Sequence, residues 1–183
     1  MPKKQLQKVI GLGIAGVVVF MALFLVLKGP GPGAELKRTD PTKYATAIQH
    51  FDKARELLSK DSKSQDAIIR LGTAYEELGE DDSAMDEYKK AIAIDKNTII
   101  SWTNLAAIYR KRGKYEDAKN AYMQAIELFP KDTQSYTNLA DLYMNYNGGE
   151  IDKVLSILEQ GIKETGDAAL KGVRDELKKK WNK

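Results

Sequence analysis

The 183 residues carry 29 Lys and Arg against 26 Asp and Glu, a net charge of +3, with 43% hydrophobic and 30% charged residues and no cysteine. That balance excludes a disordered or collagen-like chain, and the lack of thiols excludes disulfides, Cys-ligated zinc, iron–sulfur clusters and thiol catalysis. The mild basicity points to nucleic acid or an anionic membrane only if the charges cluster.

Residues 1–8 form a short basic N-terminus with Lys3, Lys4 and Lys8, and from Val9 to Leu27 run 19 residues without a charged or strongly polar side chain. A helix of that length rises ~28 Å, close to the ~30 Å of a bilayer's hydrocarbon core. The run therefore predicts a transmembrane helix over 9–27. It exceeds the apolar core of about 7 to 15 residues typical of a cleavable leader, and the Gly and Pro residues after Lys28 suit a cleavage site poorly. Removal of residues 1–33 would instead give a secreted soluble protein. Gly11, Gly13 and Gly16 reproduce the spacing of a dinucleotide-binding turn, but inside an apolar run with no strand before it that spacing is a coincidence of small residues. Lys3, Lys4 and Lys8 favour a cytoplasmic N-terminus, which places the chain beyond the apolar run on the periplasmic or extracytoplasmic side. Lys28, Lys37, Arg38 and Lys43 near the other end narrow that preference.

Residues 28–40 read as a Gly/Pro linker able to hold the body away from the membrane. Asp40-Pro41 is a helix start, an N-cap acceptor followed by Pro at the first helical position. A leading helix, or half repeat, fills 41–64, with Ala47, Phe51 and Ala54 on its apolar stripe.

The rest repeats with a period of 34. Trp102, Leu105, Ala106, Tyr109, Ala118, Tyr122, Ala125 and Pro130 find Ile68, Leu71, Gly72, Tyr75, Ala84, Tyr88, Ala91 and Lys96 one period earlier, and Tyr136, Leu139, Ala140 and Tyr143 one period later. Two extra residues near 147–149 bring Val154, Leu158 and Gly161 into the same register. These residues resemble the tetratricopeptide repeat, whose 34-residue pattern places Trp, Leu, Gly and Tyr on a first helix and Ala, Phe and Pro after it. The resemblance implies an all-α helical-hairpin solenoid behind a single N-terminal transmembrane helix, with repeats at 65–98, 99–132 and 133–166. Independently of the name, segments such as 66–79 and 81–95 are amphipathic at three- and four-residue spacing, and one pair cannot bury its stripe alone. The rings of Tyr75, Trp102, Tyr109, Tyr122, Tyr136 and Tyr143 are the expected anchors. Residues 167–183 close the array as a capping helix with the stripe Ala169, Val173, Leu177 and Trp181.

Glu76 and Arg110, Glu77 and Lys111, and Glu80 and Lys114 each lie one period apart, so stacking is expected to bring them face to face. No catalytic site is legible. His50 is the only histidine and has no Ser or metal-ligand partner at a recognisable spacing, so neither enzyme activity, a metal nor a cofactor is expected.

The resemblance implies a concave groove lined by first helices, which receives an extended peptide or partner helix. Carried over by position, its lining is Ile69, Thr73 and Glu76, then Thr103, Asn104, Ala107 and Arg110, then Thr137, Asn138, Asp141 and Met144. Ile69 and Thr73 stand where chaperone-binding members keep the Lys and Asn of a carboxylate clamp, so that ligand class is not expected. The implied protein is a membrane-anchored adaptor, an assembly factor or subunit of an envelope complex. Homo-oligomerisation, with the array as a self-associating scaffold, is the alternative. Four of the 29 basic residues and no acid precede residue 29, which leaves 25 bases against 26 acids in the body and no basic field for nucleic acid.

Overall fold

The computed structural model describes residues 31–146 and 150–181, so the expected transmembrane helix at 9–27, the basic N-terminus and the turn insertion at 147–149 lie outside the described residues. Among the described residues there are nine helices: α1 (Ala34–Thr39), α2 (Pro41–Lys60), α3 (Gln65–Glu77), α4 (Asp81–Ile94), α5 (Ile99–Lys111), α6 (Tyr115–Leu128), α7 (Thr133–Tyr146), α8 (Ile151–Thr165) and α9 (Ala168–Trp181). None of these is long and apolar enough to cross a membrane.

Local chemistry sets the boundaries. Asp40 accepts from the Lys43 amide at 3.0 Å ahead of Pro41, and Ser64, Thr98 and Asp132 cap α3, α5 and α7 in the same way. Between the helices of the first two hairpins, Gly79 and Gly113 take left-handed backbone at φ 78° and 71°. There the Glu80 and Lys114 amides reach back to the Tyr75 and Tyr109 carbonyls at 2.8 and 2.9 Å. The 34-residue period is thus visible in the turns as well as the stripes.

Each helix packs on its neighbours in sequence, so the core is a string along the stack. It runs from Phe51, Leu71 and Leu78, through Met85, Tyr88 and Ile108, to Tyr122, Tyr136, Leu142 and Leu158. Small residues face large ones. A Cβ on Gly72 would lie 2.8 Å from the Tyr88 ring, and one on Gly161 would lie 2.8 Å from both Tyr136 and Leu170. Of the expected aromatic anchors only Tyr122 and Tyr136 are fully buried. Tyr75, Trp102, Tyr109 and Tyr143 pack half-buried along the seams, and Tyr88 is the third fully buried ring among the described residues.

Three expectations are corrected. The Gly/Pro linker of 28–40 is not a free spacer over its second half: α1 is helical and Leu36 joins Tyr44 in packing against the core cluster that contains Leu78. On α9 the buried contact is Leu170. Val173 and Trp181 are each 47% exposed because the helix rotates Leu170 toward the gap that Gly161 leaves. The charge pairs also form in a different register. Lys111 meets Asp81 at 2.8 Å and Arg112 meets Asp82, offsets of 30, while Arg110 meets Asp141 at 2.6 Å. The reason is that α5 lies against α4 of the preceding hairpin. Its basic end therefore reaches the acidic first turn of α4, where the helix dipole also favours the acids.

Candidate protein-binding groove

The positions expected to line a groove all lie on α3, α5 and α7, the first helices of the three hairpins. Three environments divide them.

At the leading end Ile69 and Thr73 enter a hollow of about 360 Å3 with His50, Arg70, Glu77 and Ile100. Its polar groups are turned to each other: His50 Nδ1 lies 2.7 Å from Glu77 Oε2, and Arg70 donates to Asp66 at 2.7 Å. Ile100 is half exposed and supplies an apolar wall.

In the middle the polar groups are turned to each other. The Tyr88 hydroxyl donates to Glu76 Oε2 at 3.0 Å, accepts from Asn104 Nδ2 at 2.9 Å and lies 3.3 Å from the Thr73 hydroxyl. Burial raises the Glu76 carboxyl above the usual carboxylate range, opposed by the hydrogen bond from Tyr88 and reinforced by Asp81. Burial likewise raises the Tyr88 phenol. Asn104 is thus engaged with its own fold. Thr103 donates to the Ile99 carbonyl at 2.9 Å, Ala107 is half-buried, and Arg110 is held by Asp141.

At the trailing end Thr137, Asp141 and Met144 open onto a second hollow of about 320 Å3, shared with Ala140 on α7 and Val173 and Leu177 on α9. Thr137 donates to the Thr133 carbonyl and Asn138 accepts from Gln134, both within α7. Apart from Thr133, Thr137 and Asp141, whose charge Arg110 already compensates, this hollow is apolar. Another hollow, of about 570 Å3, lies between α6 and α8 on a different face of α7, with Met123 half exposed at its rim. No expected groove residue lines it.

The family model described as "Tetratricopeptide repeat" matches at residues 65–98, and a second of the same description matches at 99–132. Residues 65–132 carry two tetratricopeptide repeats. Two crystal structures of MamA are similar to it. One, at 20% identity, covers 74% of this chain and 67% of that one, and the other, at 22%, covers 82% and 90%, both with a TM-score of 0.57. The structure of pilF from Pseudomonas aeruginosa has a TM-score of 0.62 at 19% identity over 81% of this chain and 65% of that one. The N-terminal domain of stress-induced protein-1 from C. elegans has a TM-score of 0.56 at 20% identity, covering 63% and 94%. At these identities the likeness is one of fold. A search of curated proteins returns no match.

Tetratricopeptide repeats mediate protein–protein interaction through the extended surfaces their stacking creates. The repeat pattern does not single out Tyr88 as the polar hub, nor Val173 and Leu177 as groove walls. Nothing in the period says that a ring in a core slot ends in a shared hydroxyl. The α9 stripe is legible as apolar, but which part of it the end of the stack leaves uncovered depends on helix rotation.

Proposed function

We propose that the chain is a membrane-anchored adaptor whose repeats hold a peptide or partner helix along α3, α5 and α7. The trailing hollow carries the reading: Met144, Val173 and Leu177 offer apolar surface there, which a soluble stack would otherwise cover. The arginines on this face are already paired, Arg110 with Asp141 and Arg70 with Asp66, and the His50 ring is hydrogen-bonded to Glu77. The fitting ligand is therefore an apolar or amphipathic segment and not an acidic tail. Met144 supports this, since a flexible thioether side chain adapts to the contours of a bound helix.

The 19 apolar residues from Val9 to Leu27 support anchoring, and the basic residues before them support a cytoplasmic N-terminus with the repeats on the extracytoplasmic side. The role is that of an assembly factor or subunit of a membrane complex, without catalysis. A photoreactive residue replacing Thr137 in the full chain, illuminated in intact cells, is expected to give a discrete adduct that one replacing Met123 does not. Protease added outside the inner membrane is expected to digest the repeats. Identical adducts from the two positions would overturn the groove, and protection of the repeats would overturn the orientation.

A further inference from the structure

Residues 33–40 join the apolar run to the repeats, and they are built into the fold. Gly33 takes left-handed backbone at φ 72°, and its N–H donates to Glu80 Oε1 at 3.0 Å. A Cβ there would lie 2.5 Å from Leu78 Cδ2 and 3.3 Å from the Tyr44 ring, so only glycine fits against this turn. Three residues on, Leu36 joins Tyr44 in packing against the core cluster that contains Leu78. Asp40 then closes α1, its N–H bonded to the Leu36 carbonyl at 2.7 Å, and its side chain opens α2. The Gly33 amide and the packing of Leu36 fix the segment at the turn between α3 and α4, and the Asp40 cap joins it rigidly to α2.

We infer that this segment is a latch that holds the array within about 20 Å of the bilayer, with the edge made by turns 78–80 and 112–114 nearest the lipid surface. The inference rests on the reading that 9–27 spans a membrane. From Leu27 to Gly33 are six steps of chain, which reach about 20 Å at most, whereas a free spacer through Asp40 would reach about 45 Å. Both turns sit at the same end of their hairpins, the first following α3 and the second following α5. The opposite turn, 129–132, lies a helix length away, about 20 Å along α6. A partner in the groove would therefore lie alongside the membrane surface, close enough to be part of, or attached to, a membrane protein.

The absence of cysteine makes single labels unambiguous. Full-length chains carrying a donor dye at Lys114→Cys or at Lys131→Cys, both exposed positions, are reconstituted in phosphatidylcholine vesicles containing a headgroup-labelled acceptor lipid. The expected result is flotation with the vesicles and energy transfer from position 114 at least about twofold that from 131. Adding Gly33→Val, or Leu36→Ser as a second way to release the segment, is expected to bring the two efficiencies together without changing the helical signal of the repeats. Flotation with equal transfer from both labels would overturn the latch while leaving the anchor standing. A gradient that survives both releasing variants would also overturn it. Failure to float would overturn the anchor and the inference with it.

Discussion

At Tyr88 a fully buried ring ends in a hydroxyl that meets Thr73 and Glu76 on α3 and Asn104 on α5, so one residue ties two successive repeats together. Its ring needs Gly72 beneath it, where even a methyl group would stand 2.8 Å away. Glu76 is the carboxyl of this cluster. Because burial raises its folded pKa, the folded chain holds the proton more firmly than the unfolded chain does. Stability from this group is therefore greatest below the ordinary carboxylate pKa and falls as pH rises through the folded value. Glu76→Gln keeps an acceptor for Tyr88 and removes the titration. Thermal melts at intervals from about pH 4 to 7 are expected to show the variant gaining on the parent as pH rises, and a constant difference would contradict this. The apolar half of the site was legible, since Gly72 and Tyr88 fall in repeat slots. The polar half was not, because Asn104 and Glu76 read equally well as ligand-facing until their distances to one hydroxyl are known.

Between helices, the repeat period tells which charges recur but not which meet. A shift of 34 matches Glu77 with Lys111, yet Glu77 turns to His50 across α2 and α3, and Lys111 turns to Asp81 at the start of α4. Equivalent positions of stacked hairpins are neighbours only on average. The actual partner is set by the contact of α5 with α4, and that offset is about one helical turn shorter than the repeat. These exposed pairs each contribute at most about 1 kcal/mol, but together they hold one stacking register. Asp81→Lys is expected to lower stability by about 1 kcal/mol, with part of that loss recovered by adding Lys111→Asp. The Glu77→Lys and Lys111→Glu combination is expected to show no coupling. Denaturant titrations of the two cycles distinguish the registers, and coupling in the second cycle alone would contradict the one described. Helix identity and order were readable from hydrophobic spacing. The docking of α1 was not, because GPGPG announces a spacer while the feature that ends it is a single left-handed glycine against Leu78.

Across the whole molecule, charge separates into an N-terminal segment that holds the positive excess and a repeat body near neutrality. Within that body Arg70 and Arg110 are paired with acids, and on the proposed reading the surface left for a partner is apolar, concentrated where α7, α8 and α9 meet. The end of the stack matters here. A helix that buried Ala169, Val173 and Trp181 would have closed the hollow, whereas α9 buries Leu170 and leaves Val173 and Leu177 along its wall. The proposed adaptor is expected to bind through shape and apolar contact, with weak dependence on salt. The decisive measurement compares the proteins that co-purify from native membranes with the full-length chain and with two variants, Met144→Glu in the groove and Met123→Glu on the other face of the stack. Loss of a specific partner with Met144→Glu and its retention with Met123→Glu is the expected result. Equal retention by both, with both variants folded, would contradict the groove.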